Sequence, residues 1–278
     1  MFKSNFYLQL TAYSLSLFLT GCAANIHMQM VRLPDAEHRT RLISPEDIKP
    51  SVRLLTVGEK LTYQISWNGI PVGYATLSVE KLEKLNGRDV YVLVSTARSN
   101  EFLSKIYRIE DVYRSYLDAE KLYPLKFEKN TKDGRHTSND VVELDHDNRV
   151  AHYTSLKSGE KKDVGITPGI QDIVSCLYYF RTIDFKVGDK LPTKVYVREK
   201  SYDLLINVQG YERASINGIG EFYVFKIHPV ASFKGIFMSR GNGWILVTTD
   251  QRRLPIAAMI KVTPFGSITC VLEKIEGI

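Results

Sequence analysis

Alternation between apolar and polar side chains is the feature of this 278-residue sequence that most constrains its fold. The run LTYQISW at positions 61–67 places the two kinds of residue in turn, which is typical of a strand with one buried face. Asn68-Gly69 then predicts a tight turn. Similar runs return along most of the chain, and their short connections favour antiparallel pairing. The sequence therefore predicts a mainly β fold, built as a long curved antiparallel sheet or an open barrel.

One central segment departs from this alternation. Gln171–Arg181 follows a Pro-Gly pair, and its residues Ile173, Leu177 and Phe180 fall at helical spacing. Further apolar residues broaden that side, so we expect one central helix that is buried against the sheet. A shorter break at 99–105 predicts a single helical turn.

The N-terminus is typical of an export signal. Residues 1–21 carry one charged side chain, Lys3, followed by an apolar run over Phe6–Leu19 and a small residue, Gly21. The apolar run is short and is interrupted by polar residues, whereas a membrane span needs about 20 apolar residues. We therefore expect residues 1–21 to be a signal peptide.

The end of this segment, Leu19-Thr20-Gly21-Cys22, resembles the lipobox of bacterial lipoproteins. The resemblance implies that Cys22 receives a diacylglycerol on its sulfur, becomes the mature N-terminus and is then N-acylated. Position 23 holds Ala rather than the Asp associated with inner-membrane retention in well-studied enteric bacteria. The expected location is therefore the bacterial cell envelope, lipid-anchored in the outer membrane and facing the periplasm. The alternative is an ordinary secreted protein.

The mature chain divides into an arm and a body. Residues 22–53 show no periodicity and contain three prolines among scattered charges, which predicts a lipidated N-terminus and flexible tether. The alternative is a short ordered arm packed on the domain. Residues 54–278 carry the alternating runs and are expected to form one β-rich domain.

The charge of the chain argues against one class of partner. There are 37 Lys and Arg residues against 31 Asp and Glu residues, which gives a formal net charge of +6. A mild excess that is spread along the chain is ordinary solvated surface. We therefore expect no nucleic-acid partner.

Two cysteines remain once Cys22 is assigned to the lipid. Cys176 and Cys270 are either joined by a disulfide, since the expected compartment is oxidising, or buried as free thiols. Apolar neighbours at both positions favour unbonded thiols.

Several local patterns together resemble the DUF3108 family, a group of exported bacterial proteins of unknown function. In chain order they are VGEKLTY at 57–63 with Trp67, GIPVG at 69–73 with Ala75, QD at 171–172 followed by LYYFR at 177–181, and DQRRLP at 250–255 with Gly266-Ser267. The resemblance covers about residues 54–277 and implies no activity, cofactor or catalytic residue. Cys176 stands where the resemblance leads us to expect a small residue such as Ala, so we interpret it as a packing variant.

Motifs of catalysis and metal binding are not recognised in the sequence. The six histidines form none of the usual zinc spacings, and there is no Gly-x-Ser-x-Gly elbow or phosphate-binding Gly-Lys-Ser/Thr loop. The cluster Asp145-His146-Asp147-Asn148 contains potential ligands, but Asp and Asn between two alternating runs favour a hairpin turn. We therefore expect no metal, no cofactor and no enzymatic activity. The alternative is an envelope enzyme that acts on lipid or glycan through an unfamiliar motif.

These observations favour a cell-envelope lipoprotein with a binding or assembly role. The interior of the curved sheet either holds a lipid or other apolar ligand, or is filled by the protein's own side chains, as in small barrels. A filled interior indicates a scaffold or interaction protein. The expected partners are the membrane, through the N-terminal lipid, and an apolar ligand or envelope protein. The candidate interior residues are Tyr63, Ile65, Trp67, Leu77, Val79, Leu177, Phe180, Phe222 and Trp244.

Overall fold

The computed structural model describes residues 29–32, 41–42, 55–231, 243–262 and 264–278. Within these ranges the chain forms sixteen β-strands and two short helices, α1 (Glu101–Ser104) and α2 (Ser175–Thr182). The strands are β1 (Gln29–Arg32), β2 (Arg41–Leu42), β3 (Lys60–Trp67), β4 (Ile70–Leu85), β5 (Arg88–Ser99), β6 (Ile109–Asp118), β7 (Pro124–Asp133), β8 (His136–Asp145), β9 (Val150–Ser155), β10 (Lys161–Gly165), β11 (Asp189–Val197), β12 (Lys200–Ile216), β13 (Gly220–Ala231), β14 (Gly243–Thr248), β15 (Pro255–Val262) and β16 (Gly266–Glu276).

The strands form one open sheet built from two meanders. Strands β3 to β10 lie side by side in sequence order, and so do β11 to β16. The second meander returns to the first because β16 pairs antiparallel with β3. Among the named strands, neighbours are antiparallel except β2, which pairs in parallel with β11. The predicted mainly β fold with a long antiparallel sheet is therefore confirmed.

Antiparallel pairing places successive connections at opposite ends of the body. One end, here called the β12–β13 end, carries the connections at 86–87, 119–123, 146–149, 217–219 and 249–254. The other, called the α1 end, carries those at 68–69, 100–108, 134–135, 156–160 and 198–199. The strands between them reach 17 residues in β12.

The predicted turn at Asn68-Gly69 is confirmed. Both residues have positive φ, 50° and 83°, and the two-residue connection joins β3 to β4. Asn86 and Gly87, with φ of 51° and 81°, repeat this arrangement between β4 and β5. Positive φ at both central positions gives a turn whose twist matches that of the flanking strands, and Asn followed by Gly adopts it readily.

The buried apolar side chains of the described ranges form three clusters. The first joins α2 and the segment after it to β11–β14, and the second joins β4–β9 to the segment before α2. The third joins β3 to β12–β16. Members that are almost completely buried include Leu93, Tyr178, Leu191, Leu254 and Leu272.

Helix α2 begins later than predicted. The sequence pattern predicts a helix over Gln171–Arg181, whereas α2 spans Ser175–Thr182. The N–H of Gln171 donates to the carbonyl of Lys194 (3.0 Å), and the carbonyl of Gln171 accepts from the N–H of Tyr196 (2.8 Å). Because these main-chain groups are bonded to β11, the helix starts only after them.

The buried face of α2 also differs from the prediction. Ile173, assigned to the apolar stripe, precedes the helix and is 40% exposed, while Leu177 is half-buried. Phe180 and Tyr178 are buried, as the pattern predicted, and Arg181 is buried with them. The apolar pattern did not indicate Arg181 because its side chain is charged.

Two short strands lie within the segment that was predicted to be a flexible tether. β1 pairs antiparallel with β12, with Gln29 opposite Ser215 and Arg32 opposite Glu212, and β2 pairs with β11. Residues 29–32 and 41–42 therefore agree with the alternative given above, a short ordered arm packed on the domain. The predicted signal peptide and Cys22 lie outside the described residues. Neither helix in the described ranges is long and apolar enough to cross a membrane.

Candidate functional site

Three of the local patterns noted in the sequence meet at one buried ion pair. Arg181 of α2 donates from both terminal nitrogens to the carboxylate of Glu59, which precedes β3, with both distances at 2.6 Å. The Nε of Arg181 donates to the carbonyl of Arg252 in the connection before β15 (3.2 Å). Arg181 is 8% exposed and Glu59 is 2% exposed. One guanidinium therefore joins the helix to two parts of the sheet that are distant in sequence.

Aromatic side chains enclose this pair. The ring of Tyr178 lies 5.1 Å from the guanidinium carbon of Arg181, and the hydroxyl of Tyr63 donates to the carbonyl of Pro255 (2.7 Å). Burial raises the pKa of both tyrosines. Burial alone lowers the pKa of Arg181, but the hydrogen bonds and charge of Glu59 outweigh it and raise that pKa. The pair is therefore charged and enclosed. This arrangement is typical of a buried ion pair that stabilises the fold, rather than of a site that contacts a substrate.

A second polar group fixes the start of α2. One oxygen of the buried Asp172 carboxylate accepts from the N–H groups of Val174 (2.7 Å) and Ser175 (2.8 Å). The other oxygen accepts from the hydroxyl of Ser115 on β6 (2.5 Å). Burial raises the pKa of Asp172 to about 6, although these hydrogen bonds favour its charged form. The carboxylate is engaged on both sides and holds the helix to the sheet.

The two thiols in the described ranges are free, as the sequence predicted. Burial raises the pKa of Cys176 to about 12 and that of Cys270 to about 11. Because the thiolate is the reactive form of cysteine, both side chains are poor nucleophiles at neutral pH. Cys176 belongs to the first core cluster and acts there as a small apolar side chain.

The Asp145–Asn148 cluster is a turn between β8 and β9, as predicted. Asp145 accepts from the main-chain and side-chain nitrogens of Asn148, both at 2.8 Å. His146 is buried, with Nδ1 accepting from the N–H of Gly169 (3.1 Å) and Nε2 donating to the carbonyl of Pro124 (2.7 Å). Burial lowers the pKa of His146, so the imidazole is neutral at pH 7. Across the described ranges, no group of three acidic, His or Cys residues is arranged to hold a metal ion.

The nine candidate interior residues do not line a single cavity. Tyr63, Val79 and Phe180 are buried, but each belongs to a different core cluster. The other six are half-buried: Ile65, Trp67, Leu77, Leu177, Phe222 and Trp244.

Two depressions on the described surface open to solvent. One of about 440 Å³ has a mixed polar and apolar lining, formed by Thr62, Ile216, Asn217, Leu272, Glu273 and Lys274. The other, about 180 Å³, lies on the outside of β6–β8. Neither is an enclosed apolar chamber of the kind that surrounds a lipid chain.

Sequence reasoning did not identify the Glu59–Arg181 pair or the contact between Asp172 and Ser115. Glu59, Asp172 and Arg181 were noted only as letters of local patterns. One signal was available, because Arg181 ends the strongly apolar run LYYF and a charge in such a place usually has a partner. The identity of that partner, 122 positions earlier in the chain, follows only from the fold.

Comparisons with known proteins show the family and the fold. A family model described as "Protein of unknown function (DUF3108)" matches residues 62–273. No curated protein matches the sequence. A crystal structure of a beta-barrel-like protein of domain of unknown function DUF1849 from Brucella abortus is similar, with a TM-score of 0.52 and 10% sequence identity. The similarity covers 81% of this chain and 98% of that one, and at this identity it shows a shared fold alone.

Proposed function

The chain belongs to the DUF3108 family, and for this member we propose a role as a lipid-anchored assembly protein of the bacterial cell envelope. In this proposal the protein binds another envelope protein through its surface. It does not carry a lipid in its interior, and it is not an enzyme.

The observation that carries this proposal is the filled interior. Helix α2 packs Tyr178 and Phe180 into two different core clusters. The ion pair between Arg181 and Glu59 fastens the same helix to the sheet. Opening a chamber for a lipid requires displacing these groups, and each of them is buried.

The polar interior groups support a role without catalysis. Asp172 accepts three hydrogen bonds from the main chain and from Ser115, while Glu59 is bound on both oxygens by Arg181. A general acid or base must reach the proton that it transfers. These carboxylates are instead enclosed by the groups that they hold.

The α1 end supplies a surface that suits a protein partner. Phe102 and Ile106 are 64% and 59% exposed, and the exposed Lys105 lies between them in the sequence. The segment is ordered by Asn100, whose side-chain oxygen accepts from the N–H of Leu103 (2.8 Å) and whose nitrogen donates to a carbonyl of β4. Exposed apolar side chains on a fixed support are typical of interaction surfaces.

Anchoring rests on the lipobox-like sequence at Cys22. Several acyl chains stabilise membrane attachment by about 0.8 kcal/mol for each buried CH₂, which makes it effectively permanent. Cys22→Ser is expected to abolish labelling by radioactive palmitate and to leave unprocessed precursor. A variant that is still cleaved and labelled like the wild type would refute the anchor.

Site-specific photo-crosslinking in cells tests the assembly role. A photoreactive phenylalanine analogue at position 102 is expected to give a discrete protein adduct, identified by mass spectrometry of the excised band. The same analogue at position 82, where an exposed Leu lies on β4, is the matched control. Equal adducts at both positions, or none at position 102, would argue against the α1 end as the partner surface.

A further inference from the structure

From the position of β1 we infer that the β12–β13 end faces the lipid bilayer and that the α1 end points away from it. The inference rests on the proposed lipid anchor at Cys22. It adds which surface of the body meets the membrane, and therefore which end is left for a protein partner.

The register of β1 fixes where the chain leaves the body. Gln29 lies opposite Ser215 and Arg32 lies opposite Glu212, so the chain enters β1 beside the last residues of β12. β12 ends at Ile216, at the β12–β13 end. The residues that precede β1 therefore start from this end of the body.

The segment between Cys22 and Gln29, here called the linker, is short enough to keep the β12–β13 end close to the membrane. Gln29 lies seven positions after Cys22, and a fully extended chain spans at most about 25 Å over seven steps. β12 has 17 residues, which at about 3.3 Å each gives roughly 55 Å between the two ends. The linker is thus too short to lead around the body, and the β12–β13 end is held near the lipid headgroups.

The side chains of this end suit the headgroup region. Tyr223 is 59% exposed and lies opposite Arg213, which lies in turn opposite Val31 of β1. Tyrosine is favoured at membrane interfaces because its ring is apolar and its hydroxyl is polar. The neighbouring charges are paired, Arg213 with Glu221 and Lys226 with Glu212. These four charges are therefore already compensated within the protein.

The chain carries its own reporters for the opposite end. Its two tryptophans are Trp67, the last residue of β3, and Trp244, near the start of β14. Both positions are at the α1 end. The wild-type protein is therefore expected to transfer little excitation energy from tryptophan to an acceptor in the membrane.

Energy transfer to a dansyl-labelled lipid headgroup tests the orientation. The lipidated full chain is placed in vesicles of phosphatidylcholine and phosphatidylglycerol, and the signal of each variant is corrected for the wild type. Tyr223→Trp adds a donor at the β12–β13 end, and Phe102→Trp adds a matched exposed donor at the α1 end. Transfer from Tyr223→Trp is expected to be several-fold higher. Equal transfer, or higher transfer from Phe102→Trp, would overturn the inference.

Two further arms separate this inference from the anchor itself. Val31→Pro removes a main-chain donor from β1 and is expected to reduce the difference between the two donors, because the linker is then no longer fixed at β12. In the second arm, mature protein beginning at Cys22 is coupled through that thiol to a maleimide lipid, with Cys176 and Cys270 replaced by Ala. If cells do not lipidate Cys22 but the coupled protein shows the same difference, the anchor proposal fails and the orientation stands. If the coupled protein shows no difference, the orientation fails.

Discussion

The buried pair of Glu59 and Arg181 gives the most quantitative prediction for this fold. The pair is bidentate, with two distances of 2.6 Å, and both residues are almost completely buried. Removing one partner leaves an uncompensated buried charge, which typically costs about 3–5 kcal/mol of unfolding free energy. A domain is usually stable by only about 5–15 kcal/mol. Glu59→Leu and Arg181→Met are therefore each expected to destabilise the protein severely.

The expected sizes of the two effects differ because Arg181 has a further bond. Its Nε donates to the carbonyl of Arg252, so Arg181→Met also loses that hydrogen bond. We expect this variant to lie at the upper limit of the range. The double variant, Glu59→Leu with Arg181→Met, leaves no buried charge, and such apolar replacements of a buried pair are often close to neutral.

Urea unfolding followed by far-UV circular dichroism measures these differences. The double variant is expected to be more stable than either single variant, which gives a large favourable coupling in a double-mutant cycle. Lys84 and Asp89 form an exposed pair (2.9 Å) and serve as the control. Replacing Asp89 with Asn is expected to change the midpoint only slightly. Single variants at Glu59 and Arg181 that are no worse than this control, or a double variant whose cost is the sum of the singles, would show that the buried pair contributes no such coupling.

Three other predictions concern α2 and the thiols. The pKa of Asp172, about 6, lies above its ordinary value of 3.8, so the folded state holds the proton more tightly than the unfolded state and stability falls as pH rises from about 4 to 7. Urea unfolding at pH 4 and pH 7 is expected to show the wild type losing about 2 kcal/mol relative to Asp172→Asn over this interval, and parallel profiles would exclude the effect. Tyr178→Ala is expected to cost about 3–5 kcal/mol because its ring is completely buried, and Leu177→Ala less, since Leu177 is half-buried; equal melting temperatures would place both side chains in similar surroundings. Titration with a thiol reagent is expected to modify Cys176 and Cys270 fully in urea and slowly in the native state at pH 8, whereas fast native labelling of Cys176 would show that the helix is loosely packed.

The sequence predicted the strands well because their signal is local. In β3 polar and apolar residue types alternate over eight residues, and Asn68-Gly69 supplies both positive φ values of the following turn. Each of these features depends on residues that are close in the chain. The fold class and the first hairpin therefore followed from the pattern alone.

Features set by distant contacts were not predicted. The pairing of β3 with β16 joins Trp67 to Ile268, about two hundred positions later, and nothing local specifies it. The start of α2 depends on the bonds of Gln171 to β11, so the apolar spacing around Ile173 gave a helix that was too long at its N-terminal side. Phe180 was correctly expected on the buried face of α2, whereas Arg181 was not, because its burial depends on the distant partners Glu59 and Arg252.

The N-terminal arm and the occupancy of the interior also depend on contacts between residues that are distant in the sequence. Residues 29–32 have no periodicity of their own, and they form β1 because the end of β12 offers an unpaired edge. Whether the interior holds a ligand or is filled likewise depends on where α2 lies. The apolar residues of the sequence were sufficient to predict a buried interior. They did not show whether a ligand or the protein's own side chains occupy it.

Lipid content is the measurement that tests the filled interior most directly. The lipidated protein is purified from membranes in detergent, its non-covalent lipids are extracted, and the extract and the intact complex are examined by mass spectrometry against a mock purification. With a filled interior, no lipid is expected in a fixed ratio to the protein beyond the chains attached to Cys22. One lipid species present at about one molecule per chain in repeated preparations, and lost in a Phe180→Trp variant that still folds, would contradict it.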